Sequence, residues 1–309
     1  QDFQKGIKYL ELSSNLNNID AIYNLGLIYY KGIGVDQDYL KAKKYFEIMA
    51  QQQNPLAYFI LGNLYKDEKD YLKAKQNNSS ALYNLGNLYY YGYGVEQDYL
   101  KAKEYYELSA KQDNSDAFLN LASLYSDGLG VKRDYLKAKE YLEKAAKLDN
   151  SNALVNLGIF YKEGFGVQKD YSRARYYFDL ASKQDNSYGF LNLGDLYFDG
   201  VGVEQNYFQA KHYYEIAAKK ENSEALFNLG NIYEKGLGVK PDYLKAKDYY
   251  ELAALNGNDS KSYFNLGIFY FNGLGVEQDY NKSINFIKRT YFEIIIALTS
   301  ISSFFKRSS

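Results

Sequence analysis

The chain has 309 residues, 46 % hydrophobic and 24 % charged, a composition typical of a folded protein and not of a disordered one. Its formal net charge of −1 argues against a dedicated nucleic-acid-binding protein, which would carry a basic face. The lack of cysteine excludes disulfides, cysteine-type zinc sites and thiol nucleophiles. It leaves the compartment undetermined: an intracellular, cytoplasmic location is the simpler expectation, and the endoplasmic reticulum or a membrane stays open.

One sequence pattern recurs along most of the chain. A-x-x-N-L-G-x-x-Y is followed by Gly-x-Gly-Val and then by D-Y-L-K-A-K-x-Y-x-E. The Gly-x-Gly-Val element appears at 32–35, 92–95, 128–131, 164–167, 200–203, 236–239 and 273–276. The pattern is written about eight times, which predicts an array of repeats over residues 1–290.

The first segment, "QDFQKGIKYLELSS", aligns with the second helix of a repeat. Asp2 stands at its cap position and Gly6 where other copies have alanine. The first repeat is therefore predicted to be incomplete, and we expect the chain to be a fragment or a truncated product.

A shortened repeat is predicted at residues 56–80. Gly62 and Gly86 are 24 residues apart instead of 36, and "KDEKDYLKAKQNNSS" lacks the Gly-x-Gly-Val turn and most of a second helix. Loss of that helix removes packing from its neighbours, so we expect a kink or weak point around residues 66–80. A simple deletion tolerated by a redundant array fits equally well.

The unit at 115–150 illustrates the two helices of a repeat. Ser115 is the predicted N-cap of the first helix, and Gly128 supplies the left-handed residue that ends it. The apolar residues of this helix fall on one face: Phe118, Leu121, Ala122 and Tyr125. The second helix is predicted to begin at Asp134 and to end near Lys147, with a buried stripe of Tyr135, Ala138, Tyr141, Leu142 and Ala145.

The glycines and lysines of the repeat have a structural interpretation. The Gly-x-Gly follows a helix instead of a strand and lacks the third glycine of a dinucleotide site, so it is assigned to a turn. The "KAK" lysines have an acid four residues on, as in Lys103 and Glu107, Lys139 and Glu143, and Lys247 and Glu251. Such pairs contribute ~0.2–0.5 kcal/mol each on a solvated outer face.

The repeated pattern resembles the Sel1-like repeat, a relative of the tetratricopeptide repeat. The resemblance depends on the leucine-glycine, the tyrosine three residues later, the Gly-x-Gly-Val turn, and the aspartate and alanine of the second helix. The resemblance covers about residues 2–290. It implies an all-α, right-handed α-solenoid of antiparallel helix pairs, with the first helices lining the concave side. It also implies a non-catalytic scaffold or adaptor whose partners are extended peptides or helical segments of other proteins.

Positions that vary between copies of the first helix are predicted to contact the partner, because constant positions are needed for packing. The residues one and four places after the helix glycine vary most. They are Asn87 and Tyr90, Ser123 and Ser126, Ile159 and Lys162, Asp195 and Phe198, Asn231 and Glu234, and Ile268 and Phe271. This mixed polar and aromatic lining suits a peptide better than a small metabolite.

A column of asparagines lies two residues before the glycine, or before the equivalent Ala122. Its members are Asn24, Asn84, Asn120, Asn156, Asn192, Asn228 and Asn265. An amide both donates and accepts, so such a column can bind an extended peptide backbone. The resemblance implies the same role, because this position contacts bound peptide backbone in tetratricopeptide proteins. The alternative is that each asparagine bonds a neighbouring helix or simply belongs to the repeat's template.

No catalytic or metal-binding set is predicted, and no cofactor. His212 is the only histidine and replaces residues such as Glu104 and Glu140 on the outer second helix, so a surface position is expected. Recurrent acidic stretches such as "KQDNSD" lack the spacing of a calcium loop.

The apolar stretch "YFEIIIALTSISSFF", residues 291–305, is shorter than the ~20 residues of a bilayer span and contains Glu293. We expect 291–309 to form a terminal helix or tail that seals the array. Membrane attachment through this stretch is the alternative. The chain would then be a regulatory or membrane-associated repeat region of a larger multidomain protein.

Overall fold

The computed structural model describes residues 3–52, 57, 60–61, 79–92, 95–257 and 260–290. Within these ranges all regular secondary structure is helical, which confirms the all-α prediction. Most of the predicted shortened repeat at 56–80, including the kink, lies outside the described residues. The terminal segment 291–309 and its proposed membrane contact lie outside them too.

Residues 1–150 and 151–309 form two compact units. The described helices of the first unit are α1 Phe3–Ser14, α2 Ile19–Lys31, α3 Tyr39–Gln51, α4 Ser79–Tyr91, α5 Tyr99–Ala110, α6 Ser115–Asp127 and α7 Tyr135–Lys147. Those of the second unit are α8 Ser151–Glu163, α9 Tyr171–Lys183, α10 Ser187–Asp199, α11 Tyr207–Ala218, α12 Ser223–Lys235, α13 Tyr243–Gly257 and α14 Ser260–Asn272. Residues 280–290 are also helical.

The described repeats of the second unit are helix pairs, and each pair packs on the next. In the second unit the first helices are α8, α10, α12 and α14, and they pack on the second helices α9, α11 and α13. Each second helix also contacts the first helix that follows it. The result is the antiparallel helix-pair array of an α-solenoid, as predicted.

The helix ends in the unit at 115–150 follow the sequence with one exception. Gly128 has a φ of 74° and its N–H donates to Leu124 O at 3.0 Å, so it ends α6 as predicted. Asp134 Oδ1 accepts from the Lys137 N–H at 3.0 Å and caps α7. The prediction for Ser115 was wrong, because Asn114 in an extended conformation is the N-cap and accepts from the Ala117 N–H at 2.9 Å.

The N-cap asparagines also connect consecutive first helices. Asn186 caps α10 through Oδ1, while its Nδ2 donates to Ser151 Oγ at 2.9 Å and to Asn152 Oδ1 at 2.8 Å, at the start of α8. Asn222 makes a similar bond to Ser187 Oγ at 3.4 Å. An aspartate could cap but has no N–H to donate, which explains the choice of asparagine here.

In the described first helices that contain the glycine, this residue makes room for a side chain of the second helix. A Cβ added at Gly194 would lie 2.5 Å from Tyr214 Cε1, and one at Gly26 would lie 2.6 Å from Phe46 Cε1. The repeat with Ala122 in place of glycine has the smaller Leu142 in place of the ring. The exception in the sequence pattern is therefore a matched pair of substitutions.

The outer faces of the second helices carry the predicted ion pairs. The Nζ–Oε1 distance is 2.8 Å for both Lys103–Glu107 and Lys139–Glu143. Lys247 lies 3.3 Å from Glu251 Oε2. The lysines are self-paired as predicted, but the prediction that they are solvated was wrong, because their side chains are only 17–22 % exposed.

Candidate functional site

Four positions of each first helix share one side, because residues at i, i+4, i+7 and i+11 lie close together around an α-helix. In the second unit we call them the first-helix face. On each helix the first and last of the four residues, here called the outer pair, are exposed. The two residues between them, the inner pair, are partly buried, except that Asn192 is buried. The face consists of Asn152, Asn156, Ile159 and Glu163 of α8, Tyr188, Asn192, Asp195 and Asp199 of α10, Glu224, Asn228, Asn231 and Lys235 of α12, and Lys261, Asn265, Ile268 and Asn272 of α14.

The sequence prediction named only part of this face. It identified the inner pair on each helix, such as Asn228 and Asn231, and missed the outer pair, such as Glu224 and Lys235. The helical period alone could have identified the outer residues, which are the most accessible. In the first unit the predicted Asn84, Asn87 and Asn120 occupy the equivalent inner positions of α4 and α6.

The residues four places after the glycine flank this face and pack toward the second helix. The Phe198 ring lies 5.4 Å from that of Tyr207, the first residue of α11, and the Tyr90 ring lies 5.5 Å from that of Tyr99. Lys162 and Glu234 occupy the same position and are partly buried. These predicted residues therefore lie at the edge of the face, between the two helices of a repeat.

The residue directly after the glycine is matched to the second helix. The Tyr106 hydroxyl donates to Asn87 Oδ1 at 2.7 Å, the Tyr214 hydroxyl to Asp195 Oδ1 at 2.8 Å, and the Tyr250 hydroxyl to Asn231 Oδ1 at 2.9 Å. Where the second helix has Phe178 or Phe46 instead, the residue after the glycine is Ile159 or Leu27. Much of the variation at this position is thus explained by internal packing.

Several described asparagines of the column make hydrogen bonds within the fold, including one between Asn265 and the Tyr250 hydroxyl. Asn120 Nδ2 donates to Asn87 Oδ1 at 3.1 Å, and Asn228 Nδ2 donates to Asp195 Oδ1 at 3.4 Å, so each bonds the preceding first helix. Asn192 Nδ2 donates to the Tyr188 carbonyl of its own helix at 2.8 Å. These bonds give the column a structural role, and peptide binding by it stays a prediction.

Asp195 is the most perturbed carboxyl of the face. Its pKa is raised to about 6, mainly by burial and to a smaller extent by the negative charges of Glu224 and Asp199. The hydrogen bond from Tyr214 and the positive charge of Lys162 act in the opposite direction. The carboxyl is therefore ionised at neutral pH but lies close to its titration range.

The other sequence predictions concern catalysis, metals and membranes. His212 is exposed on α11, as predicted. Across the described ranges, no group of three His, Cys, Asp or Glu side chains is arranged to hold a metal ion. None of the described helices is both long and apolar enough to cross a membrane.

Known proteins share both the repeat and the fold. The model of the Sel1 repeat family matches residues 1–18, 19–54, 79–114, 115–150, 151–186, 191–222, 223–258 and 260–290. The Sel1 repeat protein of Oxalobacter formigenes is 28 % identical, with a TM-score of 0.65 over 87 % of this chain and 96 % of that chain. The protective antigen c5321 of uropathogenic Escherichia coli, which displays an SLR fold, is 28 % identical, with a TM-score of 0.58 over 93 % of this chain and 64 % of that one.

A plant protein is similar over a shorter stretch. HRD3B of Arabidopsis thaliana, an ERAD-associated E3 ubiquitin-protein ligase component, is 35 % identical over 107 residues. The match covers 32 % of this chain and only 17 % of that protein.

Proposed function

Because the chain belongs to the Sel1 repeat family, we propose that it is a non-catalytic scaffold that binds extended or helical segments of partner proteins on its first helices. Sel1 and tetratricopeptide-like repeat proteins generally mediate protein–protein interactions. The observation that carries the proposal is the first-helix face, on which four helices of one unit present polar, charged and aromatic side chains to solvent.

The dimensions of this face suit a segment of protein chain. Packed helices lie about 8–10 Å apart, so four first helices separated by similar distances cover roughly 30 Å. An extended chain rises about 3.3 Å per residue, so roughly nine residues match that span. Such a segment fits an elongated face better than a small metabolite, which needs an enclosing pocket.

The chemistry of the face also suits a peptide backbone. Asn156, Asn192, Asn228 and Asn265 place an amide at the same position of the four first helices, and an amide can both donate and accept. A peptide hydrogen bond contributes only about 0.5–1.5 kcal/mol net, so affinity accumulates over several repeats. The proposal places this binding on the concave side of the array.

The test is selection of a display library of unstructured 12-residue peptides. Wild-type protein is compared with a face variant that carries Asn156→Ala, Asn228→Ala and Asn265→Ala. The control carries Lys183→Ala and Asp248→Ala, two exposed positions on second helices. We expect peptides to be enriched on wild type and control and lost from the face variant. Circular dichroism and thermal melting check that each variant is folded.

The result also separates the two roles of the asparagines. Peptides that bind the face variant as well as wild type would assign the column to packing and move the binding site elsewhere. Failure to enrich any peptide on wild type would contradict binding of free segments.

A further inference from the structure

One repeat of the second unit has a carboxylate where equivalent repeats have an amide. Asp195 accepts from the Tyr214 hydroxyl just as Asn87 accepts from Tyr106, where no carboxylate of the described residues is in hydrogen-bonding contact with the hydroxyl. In the following repeat the Tyr250 hydroxyl lies against Asn231 and also against the Glu234 carboxylate. An asparagine makes this bond without carrying a charge. The carboxylate, in contrast, is partly buried and charged, and this burial penalises its ionised form. The internal hydrogen bond therefore does not explain the charge.

The charge belongs to an acidic part of the first-helix face. Asp199 on the same helix and Glu224 on the neighbouring α12 are exposed members of the face, and both act electrostatically on Asp195. Lys162 at the edge opposes them in part. The basic members, Lys235 and Lys261, lie on α12 and α14. The middle of the face therefore carries a net negative charge.

Asp195 also keeps an acceptor for a ligand. Both of its described hydrogen bonds, from Tyr214 and from Asn228, end on Oδ1. A carboxylate has about four lone-pair sites, so Oδ2 can accept from a further donor. A charge-assisted bond to such a donor is stronger than a neutral one and offsets the cost of keeping this carboxylate ionised.

We infer that the segment bound on the first-helix face contains a lysine or arginine side chain that pairs with Asp195, which makes Asp195 the specificity-determining residue. The inference rests on the function proposed above. Asp199 and Glu224 supply the surrounding negative potential, which attracts basic segments and disfavours acidic ones. The partner is therefore a basic stretch of protein chain.

The experiment repeats the 12-residue peptide selection on wild type, Asp195→Asn and Asp248→Asn. The first substitution converts the site to the form found at Asn87 and Asn231, so the fold should be retained. The second removes the same charge from an exposed second helix of the same unit. Wild type and Asp248→Asn should enrich peptides with Lys or Arg at one fixed position, and Asp195→Asn should lose that preference while still enriching peptides.

A double-mutant cycle with one selected peptide completes the test. Replacing its conserved Lys by norleucine, or its conserved Arg by citrulline, should weaken binding to wild type about tenfold or more and hardly change binding to Asp195→Asn. A basic preference that persists in Asp195→Asn, or the absence of one in wild type, would overturn the inference and leave the proposed function intact. If wild type enriches no peptide, the proposed function and the inference fall together.

Discussion

The hydroxyl of Tyr214 donates a 2.8 Å hydrogen bond to Asp195 and so joins the second helix of a repeat to its own first helix. The pair Tyr106–Asn87 makes the same connection with a neutral acceptor. The comparison separates two properties of Asp195. Its acceptor oxygen joins the two helices. Its negative charge is not needed for that bond and costs free energy, because the carboxylate is partly removed from water.

The first prediction concerns the pH dependence of stability. Burial raises the pKa of Asp195 from 3.8 to about 6, so the folded chain binds a proton that the unfolded chain releases between these values. The contribution of Asp195 to the free energy of unfolding therefore falls as pH rises from about 4 to about 6. Asp195→Asn should match wild type near pH 4 and exceed it by up to about 3 kcal/mol at pH 7.

Urea unfolding of both proteins between pH 4 and pH 8 measures this difference. The groups that face Asp195, namely Tyr214, Lys162, Glu224 and Asp199, are unchanged in the variant, so their contributions largely cancel. Parallel pH profiles for the two proteins would show that the carboxyl titrates normally.

The second prediction concerns the helix glycine and the ring above it. A Cβ at Gly158 would lie 2.6 Å from Phe178 Cδ1 and 2.9 Å from its Cζ, so Gly158→Ala should destabilise the chain by about 1–3 kcal/mol despite alanine's better helix propensity. The double variant Gly158→Ala/Phe178→Leu copies the natural pair Ala122 and Leu142.

The double variant should be more stable than expected from adding the destabilisations of the two single variants. Denaturant unfolding of wild type, both single variants and the double variant measures this difference. Strictly additive changes would mean that the glycine is retained for another reason.

The third prediction concerns the buried tyrosine hydroxyls. Tyr250→Phe removes a hydroxyl that lies within hydrogen-bonding distance of both Asn231 Oδ1 and Glu234 Oε2 and donates its one proton between them, so the free energy of unfolding should fall by about 1–3 kcal/mol. Tyr280→Phe is the matched control, because that ring is 55 % exposed and its hydroxyl should contribute little. Thermal melting of the two variants measures the difference, and Tyr250→Phe should have the lower melting temperature. Equal melting temperatures would contradict a stabilising role for the Tyr250 hydroxyl.

The fourth prediction concerns the asparagine caps. Asn186→Ala removes both a helix cap and the amide bridge to Ser151 and Asn152, so it should cost about 2 kcal/mol. Asp170→Ala removes the cap that accepts from the Arg173 N–H together with an exposed ion pair to the Arg173 side chain that contributes little, so about 1 kcal/mol is expected.

Asn186→Asp keeps the cap acceptor but lacks the donor, so its stability should fall between those of wild type and Asn186→Ala. Chemical denaturation of the three variants gives the order. An Asn186→Asp protein as stable as wild type would show that the bridge contributes nothing.

Periodicity predicted the helices and their faces well, because burial of an apolar stripe repeats with the turn of the helix. Leu121 and Leu142 are buried, and Gly128 ends its helix, as expected. The N-cap of α6 was missed by one residue, because Asn114 and Ser115 are both good capping residues and only the backbone conformation distinguishes them. The sequence identified the inner residues of the first-helix face and missed the outer ones, because variation between repeats was taken as the sign of contact with a partner.

The sequence by itself determined the repeat, the helix pairs, the turn glycines and the family. These features depend on residues close in the chain and are copied from unit to unit. Only the tertiary structure decided which variable positions serve packing and which face solvent, because that depends on residues about 20 positions away on the other helix of the pair, or 33 away in the next repeat. Asp195 both serves packing and faces solvent. Its Oδ1 accepts the hydrogen bond from Tyr214, whereas that bond does not require its negative charge.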